Sequence, residues 1–397
     1  MMSSQLSTTL RLPVQQWFLL KGRPWWVAAL IWLAMVTPAR AQVELRVAIT
    51  QETPKVEVGS STPAVVRDRA GRVLGQLPPS SAVDAQGKAG SVTLLNRWRG
   101  QQLWVEPQAG GLVWIGDRWY RGRVLLMADR KGMTAVNYVD LEQYLSSVLG
   151  GEMNGNWPQE ALKAQAVAAR SYALYQRQRS LRNPFDVGTT TTWQVYKGVE
   201  KESVGTQSAV AATTGQVLTH QGKIIEAVFH SSSGGATENS ENVWTRPVPY
   251  LQGVPDFDQG TPNFEWVRTF TAEEMRRRIP GVGNVISLIP QRRGVSGRIV
   301  TMKVVGDAGS RVLSGSTLRN ALDLKSTLFT ITPQFSLASN KGTQTTPSTF
   351  QVTGRGFGHG LGMSQWGAYN MALQGMSYQQ IVRHYYRGAT LSKIQVR

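Results

Sequence analysis

The amino-acid sequence predicts an α+β protein in which two β-rich segments flank a buried pair of helices, behind an N-terminal signal segment. Three observations carry this. Short β-branched or apolar runs broken by Gly, Pro, Asn and Asp fill residues 42 to about 138 and recur from Thr189 to Tyr250, as strands joined by tight turns do. Between them, residues 140–178 show apolar spacing of helical period and a high density of alanine. Residues 1–41 join the basic flank Arg11, Lys21 and Arg23 to the apolar run Trp25 to Val36 and an A-x-A-like site ending at Ala41. That is the layout of a cleaved secretory signal.

The 397-residue chain contains no cysteine, which excludes disulfides, Cys-ligated zinc, iron–sulfur clusters and thiol nucleophiles. Its formal net charge of +18 predicts attraction to polyanions. The signal segment selects among them. It predicts export to the periplasm or cell wall and argues against nucleic acid as a partner. The apolar run is short for a membrane span, so the membrane becomes a partner only if the segment stays uncleaved and serves as an anchor.

Element by element, strands are expected at Val43–Ile49, Ala64–Arg67, Ser91–Leu95, Leu112–Ile115 and Val124–Ala128, with turns at Asp68–Gly71 and Gly110-Gly111. Asp140, with Gln143 three residues on, predicts a capped helix ending at Gly150-Gly151. Pro158 opens a second helix to about Gln178, because the first turn's N–H groups lack intrahelical partners anyway. Gln216–Thr219 and Ile224–Phe229 are the clearest later strands. Asp256–Gly260 is a loop, Thr271–Arg278 a short helix, Val285–Leu288 and Arg298–Val305 a strand pair, and Leu318–Leu322 one helical turn. Ala338–Ser348 is a polar linker. The Gly-rich stretch Gly354–Gly362 precedes two last helices, Ser364–Leu373 and Ser377–Tyr386.

Three stretches stand out. The first runs from Gly151-Glu152-Met153 through Trp157-Pro-Gln-Glu-Ala-Leu-Lys-Ala-Gln-Ala-Val-Ala-Ala-Arg170. The second is His230-Ser-Ser-Ser-Gly-Gly-Ala-Thr-Glu-Asn239, and the third Gly358-His-Gly-Leu-Gly-Met-Ser-Gln365. In content and order these resemble the SpoIID/LytB family, the group of stage II sporulation protein D and the amidase enhancers, over roughly Tyr120 to Leu391. The resemblance implies a SpoIID-like mixed fold, with a signal peptide at 1–41, a β-rich segment at 42–118 and a catalytic domain at 119–397. It also implies action on peptidoglycan glycan strands by lytic transglycosylation, without a cofactor. The amidase-enhancer branch implies a different possibility, a non-catalytic strand binder that stimulates a cell-wall amidase.

Glu152 matches the family's catalytic glutamate. Its position between two glycines and a proline predicts an irregular connection, where catalytic groups concentrate. A lone carboxyl suits the chemistry, since it can protonate the leaving oxygen and then accept the proton of the substrate's own C6 hydroxyl. Lys163, Gln165 and Arg170 follow on the alanine-rich helix. Buried charges there need partners, either a muramic acid lactyl carboxylate or an acid of the chain such as Glu238. His230, Ser231, Ser233, Gly234, Gly235, Glu238 and Asn239 form a second substrate-binding group, in a loop whose glycines permit close approach. Some family members carry cysteine in this loop and bind zinc, but serine stands here and no metal is expected. His359, Ser364 and Gln365 complete the candidate cleft, with Trp366 as a possible stacking face. A zinc amidase site from His230, His359 and Glu238 is disfavoured, because there is no close His pair in sequence and no H-E-x-x-H.

Overall fold

The β-rich half begins with alternation. In the strand Glu44–Thr53, Leu45 and Val47 point inward, and in Lys55–Ser60 so do Val56 and Val58. This period of two builds antiparallel sheets with one buried face. The first sheet has six strands in the order Glu44–Thr53, Met133–Asp140, Arg123–Ala128, Gln102–Pro107, Ala64–Asp68 and Val73–Leu77. The second, also six-stranded, runs Arg118–Tyr120, Val113–Ile115, Lys55–Ser60, Ser81–Lys88, Ser91–Leu94 and Trp98–Gly100. The strands and turns expected in this half are present. Gly71 and Gly110 sit at φ of +82° and +70° in their turns, a conformation open to glycine at little cost.

The computed structural model describes residues 43–335, apart from 89 and 245, and residues 346–394. The signal segment and most of the polar linker lie outside the described residues. Among the described residues no helix is long and apolar enough to cross a membrane.

Helix α1 (Leu141–Glu152) starts where Asp140 accepts hydrogen bonds from the backbone N–H groups of Glu142 and Gln143, at 3.0 and 3.1 Å. It does not stop at the two glycines, as expected, but continues to Glu152. The glycines serve packing instead. A Cβ on Gly150 would collide with the carbonyl oxygen of Lys201, and one on Gly151 with that of Val195. Helix α2 (Gln159–Arg179) follows from Pro158 and buries Ala161, Ala164, Ala166, Ala168 and Ala169. The small side chains let α1, helix α3 (Val204–Ala212) and the later helices approach its axis closely.

Helix α3 corrects the expectation of continuous β structure from 189 to 250. Ser203 and Thr206 form a reciprocal cap at its start, a signal hidden by the β-branched residues around it. The strand Gln216–His220 is present. Only the ends of the expected Ile224–Phe229 strand pair with neighbours, as Lys223–Ile224 and Phe229–His230. A short helix, α4 (Ser240–Val243), follows.

Residues 265–355 build a module with its own core, including Trp266, Phe270, Met275, Leu318 and Phe350. Helix α5 (Ala272–Arg278) has the expected Thr271–Glu274 capping box. The expected strand pair is found as Val285–Arg293 with Ile299–Gly306, joined by a third strand, Gly309–Ser314. Helix α6 (Gly315–Ala321) is two turns rather than one. The chain then returns to the main core through helices α7 (Gln365–Leu373) and α8 (Tyr378–Tyr385), capped by Ser364 and Ser377. The whole is α+β, as the sequence predicts.

Arg170 ties the helical layer together and is fully buried. Its guanidinium makes a two-pronged pair with Glu142, Nε to Oε1 at 2.9 Å and Nη2 to Oε2 at 2.6 Å. Nη1 donates to the carbonyl of Gln216 at 3.1 Å. The expected partner, a ligand carboxylate or Glu238, is therefore corrected to Glu142 on α1. Removing one member of a buried pair leaves an uncompensated charge and costs about 3–5 kcal/mol. Arg170→Ala should destabilise the fold by that order in chemical denaturation.

Candidate functional site

Glu152, the last residue of α1, is half-buried. Its Oε1 accepts from the backbone N–H of Val195 at 2.8 Å and its Oε2 from Gln365 Nε2 at 3.3 Å. Burial pushes the carboxyl's proton affinity up, and the Val195 and Gln365 donors pull it partly back. The site thus places a carboxyl of raised proton affinity on a helix end, correcting the expected irregular loop. The two segments that carry Glu152 and Gln365 also contribute a cluster of partly exposed aromatic rings. Trp157 is 4.5 Å from Trp366 and 4.9 Å from Tyr369, centroid to centroid.

Gln365 is held by what precedes it. The strand Met363–Ser364 pairs in parallel with Phe229–His230, and the Ser364 Oγ accepts from the Gly367 N–H at 3.1 Å to start α7. The second and third motifs therefore interlock. His359 Nδ1 accepts from the Leu361 N–H at 2.9 Å, so its Nε2 carries the proton and donates to the Phe229 carbonyl at 3.0 Å. His230 Nδ1 lies 3.0 Å from the Leu361 carbonyl and donates to it, which leaves a buried Nε2 lone pair without a partner. Burial, and then the positive charge of Arg298, hold His359 down at about 4. Burial drives His230 well below its ordinary value too, with His359 and Arg298 adding to the effect. Both rings are neutral props behind the site.

The serine loop is anchored by two aspartates that sequence reasoning left inside a turn. Asp258 accepts from Ser232 Oγ at 2.5 Å and from the Gly234 and Gly235 N–H groups at 2.7 and 2.9 Å. Asp256 takes the hydroxyls of Ser233, Tyr385 and Ser364. Burial and the neighbouring Asp258 charge raise its proton affinity. Ser233, Gly234 and Gly235 are thus scaffold. Ser231 is the one partly exposed serine of the three; its hydroxyl accepts from Asn263 Nδ2 at 3.1 Å, while its carbonyl accepts from the Trp366 N–H at 3.0 Å.

The remaining candidates stand elsewhere. Glu238 is fully buried, and its carboxylate accepts from Asn239 N, Asn242 Nδ2, Val295 N, Ser296 N and Ser296 Oγ. It clamps the module's 294–296 turn and has no oxygen left for a ligand. Asn239 Oδ1 accepts from Gly253 N at 2.8 Å. Lys163 pairs with Glu160 at 2.7 Å beside Tyr378 and does not point with Arg170. Gln165 is buried with its side-chain amide unpartnered. These placements correct the substrate-contact roles expected for Arg170 and Glu238, whose side chains are fully buried and engaged inside the fold.

The zinc that the family resemblance implies for cysteine-bearing versions of this loop does not fit these residues. The hydroxyls of Ser231 to Ser233 are taken by Asn263, Asp256 and Asp258, and among the described residues no three acidic or histidine groups converge on one point.

Trp157, Tyr369, Asn263 and Arg298 were missed by sequence reasoning. An aromatic residue two positions after Asn154-Gly155 and just before Pro158 was the available signal for Trp157. Nothing local marks Arg298, whose Nη2 donates to the Ser233 carbonyl at 2.8 Å from a different module.

The carboxyl on the end of α1 is thus held by a loop woven from two glycine-rich motifs. Residues 129–220 match the family described as SpoIID, stage II sporulation protein, and residues 250–362 match a domain of unknown function, DUF8618. The chain is 34% identical to stage II sporulation protein D of Bacillus subtilis (strain 168), over 66% of this chain and 78% of that protein. It is 33% identical to an uncharacterized protein of Brachyspira hyodysenteriae, over 68% and 72%. With the amidase enhancer of Bacillus subtilis it shares 31%, over 62% of this chain and 40% of the enhancer. The chain belongs to the SpoIID/LytB family.

The His359 assignment is testable by NMR. Its imidazole should stay neutral, protonated at Nε2, down to about pH 4. Because its folded value is depressed below 6.5, its contribution to stability is complete above the unfolded value and is lost as pH falls through about 4. An imidazole titrating near 6.5 would contradict this environment.

Proposed function

We propose that this protein is an exported peptidoglycan lytic transglycosylase, acting in the periplasm or cell wall and leaving 1,6-anhydromuramic ends. The observation that carries the reading is Glu152, a half-buried carboxyl whose proton affinity is raised while two donors keep it in place. Its protonated form can give the proton to the glycosidic oxygen as the C1–O bond breaks. The resulting carboxylate can then take the proton of the C6 hydroxyl as that oxygen closes on C1. The proton returns to Glu152 and no water is consumed.

A hydrolase would need a second carboxylate to activate water or to attack. The other acids of the loop are engaged: Asp256 and Asp258 by hydroxyls and backbone N–H groups, and Glu238 by its five donors. That favours the single-carboxyl route. Trp157, Trp366 and Tyr369 offer aromatic faces of the kind sugar rings stack on.

The relative named amidase enhancer favours a second reading, a strand binder with a cell-wall amidase as partner. One assay separates them. Glu152→Gln should lower the formation of anhydro ends from peptide-free glycan by about 100- to 10,000-fold, with strand binding retained. The wild-type rate should fall as pH rises through the raised Glu152 value, because the protonated form starts the reaction. Full activity in the variant would remove Glu152 as the acid, and strand binding without anhydro ends in the wild type would leave the enhancer reading.

A further inference from the structure

Where the module meets the serine loop, Lys325 is partly buried. Its ammonium lies 3.3 Å from Asn263 Oδ1 and 5.8 Å from the centre of the Phe357 ring. Among the described residues no carboxylate pairs with it. Every neighbour that holds Lys325 belongs to the site. Asn263 donates to Ser231 Oγ, Gly358 N donates to the Lys325 carbonyl at 3.0 Å, and Phe357 exchanges backbone bonds with Ser232. The same Ser231 accepts from the Trp366 N–H, and Gln365, one residue before, holds Glu152.

A cation is costly to desolvate without a counter-charge, and this one is held beside an apolar ring that is 41% exposed. The other charges of this region already have their partners or their own effects inside the fold. Arg298 and Arg319 both act on His359, while the nearby acids Asp256, Asp258 and Glu238 are sealed behind hydroxyl and N–H donors. An ammonium next to an open aromatic face suits a small group that carries both a carboxylate and a methyl. Among the sugar substituents of a glycan strand, the free 3-O-lactyl ether of muramic acid is such a group.

We propose that Lys325, positioned by Asn263 and flanked by Phe357, is a specificity-determining residue that binds the free lactyl carboxylate of a muramic acid unit next to the one at Glu152. This rests on the glycan-strand reading above. It assigns the module a share in the substrate site, and it makes strand recognition depend on a charge outside the segment matched to SpoIID.

The test uses the full chain in a Glu152→Gln background, so that strands persist, and measures binding at physiological salt. Three probes are compared: peptide-free glycan strands, the same strands with their lactyl carboxylates converted to methylamides, and N-acetylglucosamine oligomers. Amidation should weaken binding by about tenfold, the scale of one charge-assisted contact. Lys325→Met should erase that preference without changing affinity for the amidated strands or the oligomers, and Lys325→Arg should keep most of it. The proposal is overturned if the parent shows no preference, if Lys325→Met keeps it, or if Lys325→Met loses affinity for all three probes alike. Binding to none of the probes would remove both the proposal and the glycan reading. A preserved lactyl preference in a wild type that forms no anhydro ends would retire the transglycosylase reading alone.

Discussion

A two-residue parallel pairing, Phe229–His230 on Met363–Ser364, joins segments that the chain separates by an entire module. His230 and Leu361, whose contact seals this junction, are 131 positions apart. So short a ladder has little stability of its own. It holds because side chains replace the missing strands. His359 bonds back to Phe229, Tyr386 donates to the Val228 carbonyl at 2.9 Å, and Asp256 gathers hydroxyls from the serine loop, from α7 and from α8. Remove the pairing and Gln365 loses its position against Glu152, because the first turn of α7 starts on Ser364.

Two buried charges of opposite sign fasten the module to this junction. Glu238, from the serine-loop segment, receives the module's 294–296 turn, and Arg298, from the module, donates to the Ser233 carbonyl of the loop. Each is the other segment's cap. Burial lowers the Arg298 guanidinium to about 10, so desolvation outweighs the help it receives from Glu238, Asp258 and Asp256. Such arrangements set geometry more than they add stability, since the desolvation of buried charges consumes most of their attraction.

Local chemistry was readable from the chain. The Asp140, Thr271 and Ser377 caps, the proline start of α2 and the strands of the N-terminal sheets all rest on neighbours within a few residues. The family motifs located Glu152, His230, His359 and Gln365. Partner identity was not readable. Arg170 could have met a ligand or any acid, and only the packing of α1 against α2 selects Glu142. Two adjacent glycines mean a helix stop or a close backbone approach with equal local logic. The carbonyls of Lys201 and Val195 decide for the second. Asp256 and Asp258 resemble turn residues until folding buries them under serine hydroxyls.

That Gly150-Gly151 continue the helix has an electrostatic consequence. A helix gathers partial negative charge at its C-terminal end, where the last carbonyls lack intrahelical donors. Glu152 sits on that pole as the terminal residue of α1, and a carboxylate formed there faces like charge from the backbone itself. The backbone dipole thus acts in the same direction as burial, favouring the neutral acid. Unlike burial, it originates in the main chain and not in the neighbouring side chains, and water and salt screen it. Part of the preference of Glu152 for its neutral form is thus written into the main-chain geometry of α1 itself.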